Sequence, residues 1–352
     1  MVSTLLPVAM AAGVAMAACP LSVEITGATG HVANVAVTNT GSEPITVFRG
    51  NTVLTEHATK DLLVADPSGK ALPFEGTFVR YRKTDIAPEM FQTIQSGETV
   101  TTSVNAAKSY KLGGVKSADV SAIQGFHYVT GTTAPTSLKE TVYCSATSNT
   151  MSITPSETAA EDHITARDES AFNSRIQKRA VTYSSCSTSQ TTSLKTSVAD
   201  AITLATNAYT AAGSQADYFT TWFRSSSVVS KVQTIYKDVQ GVQTTSPKIS
   251  CTDTYGDCAD GSALLYTVPS AKVIVPCPNN GYWDFPEYAT TCADDDYDKA
   301  GSILHEMTHL YGTDDYAYGQ TAAKKLSATQ AAANADTYEI YAGSVRLGGC
   351  SS

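Results

Sequence analysis

Hydrophobic and polar residues alternate along much of the first 150 residues of the 352-residue chain. Residues 31–54, HVANVAVTNTGSEPITVFRGNTVL, contain two alternating runs separated by the turn-forming residues NTGSEP, and residues 77–85 and 98–107 continue the pattern. A period of two matches a β-strand, because successive side chains of a strand point to opposite faces. Several such runs at short intervals predict a small β-sandwich over residues 19 to about 150.

The pattern changes twice after this segment. Residues 145–179 are polar, rich in Ser and Thr and without periodicity, which predicts a linker. From residue 180 onward, apolar residues recur at spacings of three and four, as in an amphipathic helix. The predicted fold is therefore α+β, with helices dominant after residue 180 and a β-rich segment before it. We predict helices within residues 193–213, 216–240, 297–312 and 328–350, and a short hairpin over residues 263–277.

Residues 1–18 carry the pattern of a secretory signal peptide. The apolar run at residues 5–17 is too short to span a bilayer and ends in the small-residue pattern Ala15-Met16-Ala17. We predict that residues 1–18 are removed and that the protein is secreted to the extracellular space. Two alternatives stay open: a buried N-terminal helix, and a bacterial lipoprotein, because residues 16–19 (MAAC) loosely resemble a lipidation site.

Eight cysteines are divided unevenly along the chain. A secreted chain meets an oxidising environment, in which cysteines pair. Both sides of a boundary near residue 180 hold an even number, so we predict one disulfide in the first part and three in the second, with no spare thiol. The two early cysteines are Cys19 and Cys144, and the six late ones are Cys186, Cys251, Cys258, Cys277, Cys292 and Cys350.

The basic pair Lys178-Arg179 ends the predicted linker. Cleavage needs exposed backbone, so a basic pair in the linker of a secreted chain is a typical site for a processing protease. This pair coincides with the change in composition and with the even division of the cysteines. We therefore predict a pro-segment over residues 19–179, a mature domain over residues 180–352, and a dibasic processing protease as a partner.

The charge of the chain is concentrated in its second part. The whole chain has a net charge of −9, and residues 180–352 contain 10 Lys and Arg against 17 Asp and Glu, a net charge of −7. An acidic domain repels nucleic acid and attracts basic polypeptides. We expect polypeptide substrates that include basic proteins, no nucleic-acid or membrane partner, and a monomer.

Residues 305–309 read HEMTH, an H-E-x-x-H pattern within a predicted helix. His305 and His309 lie on one helix face and can bind one zinc ion, while Glu306 stands beside the open metal position as a general base. Catalytic zinc sites take three protein ligands, and no other histidine follows residue 163. Asp314 and Asp315 both follow Gly312, which can end the helix, and the spacing alone does not choose between them.

These residues resemble those of the deuterolysins, the fungal aspzincin zinc metalloproteases. That family carries H-E-x-x-H followed by G-T-x-D-x-x-Y-G, and residues 312–319, GTDDYAYG, fit each fixed position. The resemblance implies a zincin-like catalytic domain in which Asp315 is the third zinc ligand and Glu306 is the general base. It also implies that the Tyr318 phenol hydrogen-bonds the developing oxyanion.

The resemblance extends beyond the metal motif. Residues 334–338, NADTY, are similar to the N-A-D-x-Y segment of the family, which implies that Asp336 lies near the substrate pocket. A precursor cut at a basic pair is also family behaviour, and the match covers residues 180–352 and, more loosely, the preceding segment. The family order of the late cysteines implies the pairs Cys186–Cys251, Cys258–Cys277 and Cys292–Cys350.

The sequence thus predicts a secreted endopeptidase with one zinc ion per chain that favours basic protein substrates. One alternative is a lysine-specific endopeptidase of the same family, with Asp336 as the acidic group in the pocket. A second alternative is a catalytically silent zinc-binding protein, although zinc binding alone does not require Glu306. A third gives the early β-rich segment a binding role of its own, such as adhesion.

Overall fold

The computed structural model of the chain describes residues 19–164, 180–215 and 218–350. The predicted signal peptide and the Lys178-Arg179 pair lie outside these ranges. The described chain mixes helices and strands, and none of its helices is long and apolar enough to cross a membrane. We call residues 19–164 the N-terminal part and the described residues from 180 onward the C-terminal part.

Strands form most of the N-terminal part. Ten of its strands form three antiparallel sheets, in the orders β1-β2-β7, β10-β9-β3-β6 and β11-β8-β4. The strands are β1 Leu21–Thr29, β2 Val32–Asn39, β3 Ile45–Phe48, β4 Leu63–Ala65, β5 Phe78–Tyr81, β6 Phe91–Ile94, β7 Thr99–Asn105, β8 Ala118–Ser121, β9 Ile123–Thr130, β10 Val142–Thr147 and β11 Met151–Ile153.

The three sheets share one hydrophobic core. Buried side chains of this core include Val35 and Val37 on β2, Val47 on β3, Val120 on β8 and Phe126 on β9. The intervening positions of β1 face solvent, which is the pattern of a sheet with one buried face.

The C-terminal part combines a sheet with a helical layer. Its strands are β12 Thr182–Ser184, β13 Lys248–Ser250, β14 Ala263–Val268 and β15 Val273–Pro276. Its helices are α1 Thr188–Gly213, α2 Phe219–Phe223, α3 Val229–Gln240, α4 Val242–Thr245, α5 Lys299–His309, α6 Gln320–Ala323, α7 Ala328–Ala331 and α8 Ala335–Leu347.

Helix α1 is the centre of the helical layer. It begins at a capping box formed by Ser187 and Gln190, and it packs against α3, α5 and α8. The predicted hairpin is present as the antiparallel pair β14 and β15. The helix predicted over residues 216–240, by contrast, is not continuous within its described residues, 218–240. It breaks at Arg224, which has a φ of 65°, and Ser225 then caps the turn that leads into α3.

Strand β5 leaves the N-terminal sheets and extends the sheet of the C-terminal part. The order of this five-stranded sheet is β12-β13-β15-β14-β5, and β5 runs antiparallel to β14. The alternation in residues 77–85 predicts a strand within the N-terminal sandwich, and that placement is wrong. The strand pairs across a separation of almost 190 residues, which local periodicity does not encode.

Four disulfides are present, and each stays within one part of the chain. One joins the beginning of the N-terminal part to β10, and three lie in the C-terminal part. The three later bonds have the pairing that the family resemblance implies. The bonds are Cys19–Cys144, Cys186–Cys251, Cys258–Cys277 and Cys292–Cys350.

Candidate active site

Helix α5 carries the H-E-x-x-H residues into the middle of the molecule. Asp298 caps the helix, and the apolar side chains of Ile303 and Leu304 pack into the core of the C-terminal part. His305 and His309 lie four residues apart and are both buried. The regular helix therefore presents two imidazoles on one face, as the sequence predicts.

The turn after α5 brings Asp315 back to these histidines. Gly312 has a φ of 94°, a conformation that side chains with a Cβ disfavour. The chain then runs beside the segment that precedes α8, where the Asp314 N–H donates to the Ala333 carbonyl at 2.6 Å and the Ala335 N–H donates to the Asp314 carbonyl at 2.9 Å. These bonds fix the loop on which Asp315 lies.

His305, His309 and Asp315 form a set of atoms suited to one metal ion. Asp315 Oδ1 lies 3.3 Å from His305 Nε2, and Asp315 Oδ2 lies 3.4 Å from His309 Nε2. Both distances exceed the usual range for N–H···O hydrogen bonds. Within the described ranges these four buried atoms have no hydrogen-bond partner. Buried polar atoms are costly when unpaired, so the set fits a cation that binds them together.

Asp314, the other acid that the spacing left open, faces away from this set. Its carboxylate accepts two hydrogen bonds from Lys60 Nζ of the N-terminal part, at 2.7 and 2.8 Å. The two histidines therefore meet Asp315 and not its neighbour.

Two outer contacts orient the imidazoles. His309 Nδ1 lies 3.1 Å from the Thr313 carbonyl, which leaves Nε2 directed at Asp315. His305 Nδ1 lies 3.3 Å from a carboxylate oxygen of Glu339 on α8. Metal-bound histidines generally have such a partner on the second ring nitrogen, because it fixes the tautomer and the ring orientation.

Glu306 is buried beside the two histidines. Its Oε2 accepts a hydrogen bond of 2.7 Å from the Thr267 hydroxyl on β14, whereas Oε1 has no partner among the described atoms. Burial raises the pKa of the Glu306 carboxyl, against the lowering effect of the His305 and His309 charges. A carboxylate with a raised pKa and one free oxygen is suited to accept a proton.

The pKa of Asp315 is shifted in the opposite direction to that of Glu306. Burial alone would raise the pKa of Asp315, but the nearby charges of His309 and His305 hold it below its ordinary value. The carboxylate therefore stays ionised, which is the state in which it can bind a metal.

Tyr318 lies beside His305. Its ring centroid is 6.1 Å from that of His305, and its hydroxyl donates to the Val79 carbonyl on β5 at 2.7 Å. The hydroxyl also accepts a hydrogen bond from Asn51 Nδ2 at 2.7 Å. The loop that carries Tyr318 is held by Asn334, whose side chain bonds the backbone of residues 316 and 317.

Asp336 and Glu339 place two further carboxylates beside the site. Asp336 Oδ2 accepts from the Gly319 N–H at 2.7 Å, and its Oδ1 lies 3.7 Å from Lys83 Nζ. Glu339 forms a two-bond ion pair with Arg80 of β5, with one distance of 2.7 Å. These carboxylates also lie within reach of His305 and form a second candidate group of ligand atoms with it. Both Glu339 oxygens bind Arg80, whereas Asp336 Oδ1 has no hydrogen-bond partner among the described residues.

Glu339 and Thr267 are not among the site residues that the sequence predicts. A usable signal existed for Glu339, since it follows Asp336 by three residues on a predicted helix and so lies on the same face. No local pattern marks Thr267, whose hydroxyl reaches Glu306 only because β14 packs against α5.

The fold and this site define a metallopeptidase of the H-E-x-x-H type, and comparison with known proteins agrees. A family profile described as lysine-specific metallo-endopeptidase, of the aspzincin type, matches residues 208–343. A neutral protease 2 homolog of Sclerotinia sclerotiorum is 31% identical over 339 residues, which cover 92% of this chain and 90% of that protein. A neutral protease 2 homolog of Botryotinia fuckeliana is 29% identical, over 93% of this chain and 92% of that protein. A neutral protease 2 homolog of Arthroderma gypseum is 30% identical, over 91% of this chain and 90% of that protein.

The chain belongs to the aspzincin, or deuterolysin, family of zinc metalloendopeptidases. The resemblance identified from residues 305–319 is thereby confirmed, and the similarity reaches through the N-terminal part as well.

Substitution of the two neighbouring acids tests which one binds the metal. We expect Asp315→Asn to weaken zinc binding by roughly a hundredfold or more, because it removes the charge that faces both imidazoles. We expect Asp314→Asn to bind zinc like the parent, since that carboxylate contacts Lys60. Zinc content measured by elemental analysis after dialysis against graded chelator checks both. Zinc retained by Asp315→Asn and lost by Asp314→Asn would contradict the assignment.

Proposed function

We propose that this chain is a secreted endopeptidase, made as an inactive precursor, that uses one zinc ion held by His305, His309 and Asp315. The observation that carries this proposal is the meeting of these buried, unpaired ligand atoms beside the free oxygen of Glu306. The disulfides and the apolar residues at positions 5–17 support secretion.

Glu306 and Tyr318 are the groups that act on the peptide. A zinc ion held by these residues would supply Lewis acidity and would lower the pKa of the water that it binds to about 7. Glu306 accepts a proton from the attacking water through its free Oε1 and passes it to the leaving amine. Thr267 holds the other oxygen of Glu306 and so orients the carboxylate. The Tyr318 hydroxyl donates to the oxyanion that develops on the carbonyl.

The precursor consists of a pro-segment, residues 19–179, and a mature domain, residues 180–352, separated by cleavage after Arg179. The disulfide arrangement supports this division, because each of the four bonds stays on one side of the boundary. Cleavage would therefore leave two parts joined only by non-covalent contacts.

The acidic groups beside the metal site support a preference for basic substrates. Glu339 and Asp336 bind Arg80 and Lys83 in this structure, so the pocket accepts a guanidinium and an ammonium group. The net charge of −7 over residues 180–352 agrees with basic polypeptides as substrates. The description of the matching profile favours strict lysine specificity as an alternative, whereas the Arg80 contact favours a broader basic preference.

The role of Glu306 can be tested by removing its charge. We expect Glu306→Gln in the processed chain to keep its zinc but to hydrolyse casein or protamine about a hundredfold to ten-thousandfold more slowly, the usual contribution of a general base. Zinc content and protein hydrolysis, measured on the same sample, check this. A silent zinc-binding protein would instead bind zinc and cleave nothing even with Glu306 intact.

The acidic pocket can be tested through Glu339. We expect Glu339→Gln to lower kcat/KM about tenfold to a hundredfold for peptides with Lys or Arg after the scissile bond, since it weakens a charge-assisted hydrogen bond. Hydrolysis of matched peptides with Leu at that position reports the separate effect of losing the Glu339 contact with His305, and it should fall by a smaller factor. Asp284→Asn, at an exposed acid away from the pocket, is the charge control. Equal losses for basic and apolar peptides would contradict a specificity role.

A further inference from the structure

The strand β5 of the N-terminal part lies directly across the candidate active site. We propose that β5 occupies the substrate cleft in the direction that a substrate takes, with the Val79–Arg80 peptide at the position of the scissile bond. This inference rests on the proposed function and explains how the N-terminal part keeps the enzyme latent. Three independent contacts carry it.

The first contact is the backbone pairing of β5 with β14. β14 pairs with β15 on one side and with β5 on the other, so in the C-terminal part alone β14 is the edge strand of the sheet. An edge strand has unpaired N–H and C=O groups, and an extended peptide binds such an edge through main-chain hydrogen bonds. The edge that a polypeptide substrate would use is therefore already filled.

The second contact concerns the Val79 carbonyl. The Tyr318 hydroxyl, the proposed oxyanion donor, donates to this oxygen at 2.7 Å. Asn51 Nδ2 lies 3.2 Å from the same oxygen and 2.7 Å from the Tyr318 hydroxyl. A substrate's scissile carbonyl must lie against the oxyanion donor, so Val79 takes the place of the residue before the scissile bond. Asn51 holds both groups in this arrangement.

The third contact sets the direction of the strand. Arg80, the residue after this carbonyl, extends into the acidic pocket and pairs with Glu339, which itself lies 3.3 Å from His305 Nδ1. A substrate with a basic residue after its scissile bond would make the same contact. The Val79 carbonyl and the Arg80 side chain are consecutive groups of β5. They contact Tyr318 and Glu339 in the order in which a substrate would contact them.

The strand also covers the metal-binding side chains. The Phe78 ring stacks on His309 with centroids 4.2 Å apart and planes 7° apart. All four residues of β5 are buried. No second peptide can reach the site while β5 is in place, so displacement of this strand is required for activity.

The inference can be tested on a full chain that cannot be processed, with Lys178→Ala and Arg179→Ala as the parent background. We expect this parent to be latent toward a short basic fluorogenic peptide and Arg80→Ala in it to raise turnover at least tenfold. Asn51→Ala, which frees the Val79 carbonyl and Tyr318 without unpairing a buried charge, should act in the same direction. Arg82→Ala is the matched control, because among the described residues the Arg82 side chain donates its hydrogen bond to the Asn280 carbonyl and not to Glu339 or Asp336.

Hydrogen exchange gives a readout that does not depend on catalysis. In Arg80→Ala and Asn51→Ala, we expect faster amide exchange in residues 263–268 of β14, with β13 unchanged. If both variants are as latent as the parent and their β14 amides exchange at the parent's rate, the inference is wrong. The chain freed of residues 19–179 is the reference. If this reference hydrolyses no peptide, the proposed function is wrong. If the reference is active and both variants stay latent, only the proposed role of β5 is wrong.

Discussion

The site depends on one constraint, which is that three buried ligand side chains need a cation. His305, His309 and Asp315 direct unpaired atoms at one another, an arrangement that costs free energy unless a metal ion satisfies it. Their burial requires a rigid enclosure, which the packing of α5 against α1, α8 and β14 supplies. The turn at Gly312 completes the set, because it returns the chain to the helix it has just left.

The electrostatics of the cleft follow from the same enclosure. Acids of the C-terminal part converge on the site, and the N-terminal part meets them with cations, among which Arg80 is almost fully buried against Glu339. A buried ion pair of this kind contributes modestly to stability because both charges lose their hydration. Its larger effect is on orientation, since a guanidinium between two carboxylate oxygens fixes the backbone that carries it. One set of acids therefore holds the N-terminal part in place and, in the proposed function, also selects basic substrates.

Features encoded by neighbouring residues could be predicted from the sequence, and features that depend on distant pairing could not. The α5 helix and the β14–β15 hairpin follow from local periodicity, and the turn after α5 follows from Gly312. The break at Arg224 cannot be predicted from periodicity, because the apolar spacing continues across it. The partner of β5 and the contacts of Asn51 join residues far apart in the chain, and no periodicity records such contacts.

In the proposed function, one metal ion in this site makes the chain a peptidase. The most direct test is a zinc titration of the processed chain after chelator treatment, with casein hydrolysis measured at each addition. We predict no hydrolysis without zinc, a linear rise as zinc is added and a plateau at one ion per chain. Hydrolysis that persists in the chelator-treated chain, or that stays absent after one equivalent of zinc is bound, would contradict it.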